Sequence, residues 1–221
     1  MKKLSTAEMV QHLWDIHEVS NLMSMYEYKL AGSQFEDVVA MFASKTPGVR
    51  AEIGNWGVYE GVAGIQRLFG ELHKRLQTEG NPPMPKKGMM FLLPNTNPVI
   101  EVARDGKTAR GLWMCTGNET KPVQGKYTGM WAWAKRATDF VKEDGQWKIW
   151  HYRVYGLFMT PYDKCWTELE DPDFALKNPV SNELPPDRPS TYHWSYSPSA
   201  RYEYIPAAPE PYDTFNEKNS Y

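Results

Sequence analysis

The chain has 221 residues, of which 41% are hydrophobic, 14% aromatic and 24% charged, so it is long enough to bury an ordinary hydrophobic core. Its net charge of -2 gives no strong field for nucleic acid or anionic lipid, and no apolar run is long enough to span a membrane. Residues 1–3 lead into an amphipathic segment and not into an apolar signal sequence, so a cytoplasmic protein is expected. The two cysteines, Cys115 and Cys165, lie fifty positions apart and are expected to be reduced thiols.

Three helices are predicted in the first eighty residues. The first is the clearest, because apolar residues recur at steps of three and four from Met9 to Leu30, after a capping box formed by Ser5 and Glu8. A short helix is predicted over residues 35–42. A third is predicted from Val62 onward, with the same apolar spacing, and it ends before the breaker sequence at 80–83.

The rest of the first 160 residues is predicted to be strands. A strand over 49–53 precedes the third helix, and five more follow it, over residues 89–93, 98–103, 108–116, 129–141 and 146–157. Asp105-Gly106 and Asp144-Gly145 are typical hairpin turns. Helices followed by hairpin-linked strands predict an α+β fold, in which the helices cover one face of a curved sheet. Residues 1–160 are therefore interpreted as one domain.

Residues 161–221 form a segment of different composition. Ten of the seventeen prolines lie between Pro161 and Pro211, and the segment carries a net charge of -6, against +4 for the body. It also holds two Trp, seven Tyr and two Phe, which is unlike a disordered linker. We therefore expect a C-terminal arm that packs on the body or on a neighbouring subunit.

Four stretches of the first domain resemble the NTF2-like superfamily and, within it, the SnoaL-like enzymes. These are Tyr26 at the end of the first helix, the entry to the third helix at 58–65, residues 98–102 before a glycine turn, and residues 143–149. The resemblance covers about residues 5–160. It implies a cone with three N-terminal helices inside a bent antiparallel sheet, a deep pocket, no metal or organic cofactor, and a homo-oligomer, either dimer or trimer.

A longer subgroup is the most similar part of this superfamily. Residues 45–49, 55–61 and 150–163 resemble the sphingomonad diarylpropane lyases, which release formaldehyde from a phenolic diol and leave a stilbene. The dehydratase pattern of the superfamily is incomplete here, because its acid corresponds to Ala31 and its histidine, expected near 92–94, is absent. A dehydratase-type His/Asp pair is therefore not predicted.

His151 and Arg153 are the leading catalytic candidates. Regular alternation along the last strand places Ile149, His151, Arg153 and Tyr155 on one face. If Ile149 packs on the helices, His151 and Arg153 point into the pocket, where an imidazole can transfer a proton and a guanidinium can stabilise charge on oxygen. The alternative is a structural histidine with Arg153 in a salt bridge.

Further candidates are aromatic or polar residues near the expected pocket. Tyr26 is either a core phenol or a hydrogen-bonding partner of a substrate oxygen, and Tyr59 would position oxygen charge. The expected substrate-binding residues lie on loops and strands that could wall an aromatic ligand, and they are Asn55, Trp56, Trp113, Tyr127, Trp131 and Trp133. Metal-binding, nucleotide-binding and RNA-binding sequence motifs are absent.

Together the residues and the resemblance predict a cofactor-independent lyase for a small phenolic compound, with formaldehyde released through a quinone methide. A dehydratase, isomerase or cyclase for a polycyclic ligand is the first alternative. A non-catalytic ligand-binding or protein-binding module is the second. Neither nucleic acid nor a membrane is an expected partner.

Overall fold

Two helices begin the fold. In this computed structural model, which describes residues 4–123, 126–168, 183–192 and 196–221, helix α1 spans Thr6–Ala31 and helix α2 spans Phe35–Ala40. The predicted capping box is present, since the Ser5 hydroxyl accepts a hydrogen bond from the Glu8 amide. Only the second half of α1 carries the buried apolar stripe, while Leu13 is 65% exposed.

The third helical region contains π-helical turns. Helix α3, Gly61–Ile65, continues into the π-helical segment Gln66–His73 and then into helix α4, Lys74–Gln77. Apolar spacing of three and four predicts an ordinary α-helix here, but π turns are wider and close onto the fifth residue. As a result His73 is buried next to Leu72 and is not on a solvated face.

The strands form a strongly bent sheet of seven strands in the order β2-β1-β9-β8-β7-β5, with β6 also paired to β7. Their bounds are β1 Arg50–Ile53, β2 Val58–Glu60, β5 Phe91–Leu92, β6 Asn95–Val102, β7 Thr108–Val123, β8 Lys126–Glu143 and β9 Gln146–Pro161. A separate small ladder pairs β3, Thr78–Glu79, with β4, Met84–Pro85. The predicted α+β cone is confirmed, although the sheet is mixed because β1 and β9 are parallel.

Strand β9 contains a one-residue bulge at Trp150. On β8, Phe140 pairs with Ile149 and its neighbour Asp139 pairs with His151, so Trp150 is the extra residue. An extra residue reverses which side of the sheet the following side chains face. Tyr152 therefore points to the helices like Ile149, and His151 points to the outer face.

Described residues beyond Pro161 lie on the body in three segments, and the first, 162–168, continues from β9 and places Trp166 against Trp131. Residues 183–192 follow β2, where the Val58 amide donates to the Arg188 carbonyl at 2.9 Å. Gly57 has a φ of +97°, and a Cβ there would come within 2.5 Å of Pro186, so the close approach requires glycine. Residues 196–221 cover part of the outer sheet face, and we call this part of the chain the outer arm.

Candidate active site

A cavity of about 520 Å³ lies between the helices and the inner face of the sheet. Its walls are largely apolar and come from α1, the turn after β1, the π-helical segment and the long strands. The apolar members are Leu30, Ile53, Trp56, Leu76, Met89, Phe91, Leu93, Pro122, Ala132, Trp133, Ala134, Val154, Phe158 and Met159. This volume suits a small organic molecule.

A pair of tyrosines lies in the buried wall of this cavity. The Tyr26 hydroxyl, from α1, donates to the Tyr152 hydroxyl, from β9, at 3.0 Å, and both side chains are buried. Burial raises the pKa of both phenols, and their mutual charge repulsion raises that of Tyr26 further, so both are neutral at pH 7. Because Tyr26 donates, the Tyr152 proton is free to be donated to another oxygen.

A buried ion pair lies next to the two phenols. Arg136 on β8 lines the cavity, is 3% exposed, and bonds through Nη1 to the Glu27 carboxylate and to Asn95 Oδ1 at 2.9 Å. Burial raises the pKa of Glu27, while the Arg136 charge opposes that rise. The Arg136 Nε is buried and has no hydrogen-bond partner among the described residues, which is unusual for a guanidinium nitrogen.

His73 supplies the imidazole of the cavity. Its Nδ1 lies 2.9 Å from the Leu68 carbonyl oxygen, and its ring stacks on Phe69 and packs against Trp56. Burial, opposed by the Leu68 hydrogen bond and aided by the charge of Arg136, lowers the pKa of His73 to about 4. The ring is therefore neutral at pH 7.

Charged groups also lie at the more exposed end of the cavity. Lys121 is half-buried and its Nζ lies 3.1 Å from Glu119. Lys86 donates from Nζ to the carbonyls of Arg75 and Leu76, both at 3.0 Å, at the end of the third helical region. The Lys121 charge is thus paired with Glu119, and Lys86 is held by two carbonyl oxygens. The buried polar groups in and beside the cavity wall include two phenols, an imidazole, the Gln77 amide and the Arg136–Glu27 pair.

Three of the residues predicted from sequence line the cavity. Tyr26 lies in the buried wall, Trp56 lies beside His73, and Trp133 lines the cavity while 37% of its surface stays exposed. They come from α1, from the short helix at 54–56 and from β8. Trp56 and Trp133 keep the substrate-contacting roles expected of them as proposals, whereas the Tyr26 hydroxyl is directed at Tyr152.

The expectation that His151 and Arg153 face the pocket is wrong, and the bulge at Trp150 is the reason. His151 Nδ1 lies 2.9 Å from Asp139 Oδ2 on the outer face, beneath the outer arm residue Ser220. Arg153 pairs with Glu52 at 3.4 Å on the same outer side. Ile149 does pack in the core, but the extra residue after it inverts the strand, so neither His151 nor Arg153 is among the lining residues.

Five other predicted residues are also outside the cavity lining. Tyr59 is buried and donates to the Leu184 carbonyl at 2.9 Å, and Trp113 packs edge-on against Phe140 in the core. Trp131 packs against Phe158 and Trp166. Tyr127 is 45% exposed near the β7–β8 hairpin, and Asn55 lies in the short helix at 54–56. Their side chains pack in the core or lie at the surface, and neither strand alternation nor a position in a loop predicts which of the two applies.

Three further lining residues, Arg136, Tyr152 and His73, were not identified from the sequence. Regular alternation predicts that His151 faces the cavity, whereas in the structure Tyr152 does. The available signal for Arg136 was a pair of basic residues, Lys135 and Arg136, directly after the apolar stretch 130–134 of β8, because a buried guanidinium requires a specific partner. His73 had no such signal, since its burial depends on the π-helical geometry.

No helix in the described part of the chain is long and apolar enough to cross a membrane. No group of three or more His, Cys, Asp or Glu side chains is arranged in those same ranges to hold a metal ion.

The chain belongs to the family of proteins with a SnoaL-like domain. The sequence profile of that family matches residues 11–153, which is more than half of the chain and includes all the residues of the polar cluster described above. No curated protein matches the chain in sequence.

Solved structures share the same fold. A candidate scytalone dehydratase from Novosphingobium aromaticivorans DSM 12444 is 16% identical with a TM-score of 0.56, covering 71% of this chain and 93% of that chain. LinA is 16% identical with a TM-score of 0.56, over 72% and 96% of the two chains. The dehydrochlorinase LinA-type3 from Novosphingobium barchaimii LL02 is 17% identical with a TM-score of 0.53, over 71% and 95%. At these identities the likeness shows the fold alone.

Proposed function

We propose that this chain is a cofactor-independent lyase that acts on a small, neutral phenolic compound bound in the cavity. The observation that carries the proposal is the cluster of Tyr26, Tyr152 and Arg136 at the buried end of an otherwise apolar space. Apolar walls favour an aromatic ring, and hydrogen-bond donors grouped at one end favour a ring that carries an oxygen.

The proposed reaction is the cleavage of a phenolic aryl propanediol that carries a second aryl group on the carbon bearing the hydroxymethyl group. The benzylic hydroxyl and the phenolic proton leave as water, which gives a quinone methide. The neighbouring hydroxymethyl group then loses its proton and departs as formaldehyde, and the electrons of the broken C–C bond restore the aromatic ring. The phenol regains a proton, so the diol yields a stilbene, formaldehyde and water.

Tyr152 and Arg136 would hold the phenolic oxygen during these steps. The Tyr152 proton is available because Tyr26 donates to the Tyr152 oxygen, and the Arg136 Nε has no partner within the described ranges. Donors fixed in a buried site stabilise developing charge on oxygen better than water does. Trp56 and Trp133 would contact the rings of the substrate from the cavity walls.

The charge balance of the site favours a neutral ligand. The Arg136 charge is already compensated by Glu27, with which it forms a close ion pair. A carboxylate brought beside this pair would leave one uncompensated charge in a buried region, which costs several kcal/mol. A phenol whose oxygen becomes negative only transiently fits the same donors without that cost.

The test is incubation with a panel of 1,2-diaryl-1,3-propanediols that carry a 4-hydroxyl group on the ring at the benzylic alcohol, with formaldehyde and stilbene measured together. The matched control substrate is the 4-methoxy analogue, which cannot form the quinone methide and should not react. Unsaturated product without formaldehyde would indicate a dehydratase instead. Binding of the panel without turnover would indicate a ligand-binding module, and either outcome overturns the proposed lyase.

A further inference from the structure

We infer that His73 is the base that removes the hydroxymethyl proton as formaldehyde leaves, an inference that rests on the proposed function. No sequence motif marks this histidine as catalytic. Three features favour this role: the π-helical segment places the ring in the cavity wall, Nδ1 is bonded to a carbonyl oxygen, and the nearby Arg136 charge disfavours a protonated ring.

The hydrogen bond to Leu68 fixes the tautomer of His73. A backbone carbonyl oxygen can only accept a hydrogen bond, so Nδ1, at 2.9 Å from the Leu68 oxygen, must carry a proton. In the neutral ring the other nitrogen, Nε2, then carries the lone pair. Since the imidazole is a lining residue of the cavity, His73 offers a proton acceptor there, not a second donor.

The surroundings of His73 keep this acceptor unprotonated and the ring in place. Its side chain is 5% exposed, its ring centroid lies 5.0 Å from that of Phe69 and 5.5 Å from that of Trp56, and the two contacts restrict rotation. Burial and the nearby Arg136 charge both disfavour an imidazolium, in keeping with the lowered pKa. A neutral base thus lies in the same cavity as the cationic donor for the phenolic oxygen.

One π-helical turn explains both the burial of the His73 ring and the hydrogen bond of its Nδ1. The π-helical segment Gln66–His73 ends at His73, and Leu68 lies five residues before it, which is the repeat of a π turn. The same turn that buries the ring therefore supplies the carbonyl that orients it. Irregular helical turns of this kind are frequent at functional sites.

His73 would act at the step in which formaldehyde leaves. His73 Nε2 takes the hydroxyl proton, the O–H electrons form the second C–O bond of formaldehyde, and the C–C bond electrons pass into the quinone methide. The phenolic oxygen becomes negative beside Arg136 and Tyr152. The imidazolium then loses its proton, which restores the phenol, and no oxidant or reductant is needed.

The test compares His73→Asn with the wild type on a diol that the wild type cleaves. The asparagine Nδ2 lies close to the position of the imidazole Nδ1, so this variant keeps the donor to Leu68 and loses only the base. We expect kcat to fall at least 100-fold, within the usual range for loss of a general base, with KM and the midpoint of unfolding little changed. The matched control is His17→Asn, an exposed histidine outside the cavity lining, which should keep wild-type kcat.

Three outcomes would overturn the inference. An undiminished kcat in His73→Asn would show that the ring is only structural. A ¹⁵N NMR spectrum of the wild type showing the proton on Nε2 would remove the acceptor, whatever the substrate. A wild type that cleaves no diol would overturn the proposed function and the base role with it, whereas the first two outcomes leave the proposed function standing.

Discussion

Ile149 and His151 lie two positions apart on one strand and face opposite sides of the sheet. Their partners on β8, Phe140 and Asp139, are adjacent residues, so β9 has one extra residue, Trp150, between Ile149 and His151. Ile149 joins the core, and His151 joins the carboxylate on the outer face. The face of β9 that lines the cavity is consequently the one that carries Tyr152.

Replacing His151 should affect stability and not turnover. In His151→Phe, Asp139 loses the imidazole donor at 2.9 Å, and weakening the hydrogen bonding of a buried carboxylate should lower the free energy of unfolding by about 2 kcal/mol. Denaturant unfolding measures the first effect, and kcat/KM on a cleaved diol measures the second. A loss of turnover in a protein that stays folded would return His151 to the active site.

Tyr152→Phe should lower turnover more than Tyr26→Phe. The first change removes the proton that is available to substrate, and the second removes the donor that directs it. We expect about a 100-fold loss of kcat/KM for Tyr152→Phe, because one oxygen-binding donor in a buried site contributes about that factor. Tyr26→Phe should cost clearly less. Equal kinetics in the two variants and the wild type would remove the pair from the mechanism.

The Arg136–Glu27 pair should show strong coupling in a double-mutant cycle. Arg136→Met alone leaves Glu27 buried without its cation, which should lower the free energy of unfolding by about 3–5 kcal/mol. Adding Glu27→Met should recover part of that loss, because no buried charge then remains. Denaturant titration of the four proteins gives the coupling energy, and strictly additive losses would mean that the two side chains act independently.

His73 should make the protein less stable as the pH falls. Its pKa is about 4 when folded, against about 6.5 when unfolded, so between these values the unfolded state binds more protons. Stability is thus fully present above about pH 6.5 and falls by up to about 3 kcal/mol by pH 4. His73→Asn lacks this titration. The difference between the two proteins in free energy of unfolding should therefore change with pH across this window, and a constant difference would contradict the buried neutral ring.

Asp139 should control how firmly the outer arm is held. Its Oδ2 accepts from Ser220 Oγ at 2.7 Å and from the Tyr221 amide at 3.0 Å. In Asp139→Asn these bonds weaken, so limited proteolysis should cleave residues 196–221 sooner than in the wild type.

The predicted dimer or trimer can be tested separately, by light scattering of the wild type and Asp139→Asn. A mass of one chain for the wild type would contradict that prediction.

Local patterns predicted much of the fold. The capping box at Ser5, the glycine turn at 144–145 and the order of helices and strands all depend on neighbouring residues, and the structure has each of them. The observed strand ends differ from the predicted ends by several residues. The difference is large for β7, which was predicted over 108–116 and continues to Val123. The length of a strand in a hairpin depends on pairing with its partner strand, and the spacing of apolar residues in one strand does not predict that pairing.

The site was less predictable because two departures from regular geometry determine it. A bulge at Trp150 exchanges the faces of His151 and Tyr152, and π-helical turns bury His73. Both depend on packing between elements distant in the chain. Tyr26 was identifiable because it ends a regular helical stripe, whereas the partner that orients its hydroxyl is 126 positions away.

The distance along the chain between residues that contact each other should determine the order in which parts of the protein fold. The hairpins β7–β8 and β8–β9 join segments that are adjacent in the chain, so they can close early. The Tyr26–Tyr152 bond and the Arg136–Glu27 pair each span more than a hundred residues, so they form only after the first helix has docked into the sheet. A partly folded chain would contain most of its hairpins before the Tyr26–Tyr152 bond and the Arg136–Glu27 pair have formed. Recovery of the proposed activity should therefore be the slowest signal on refolding.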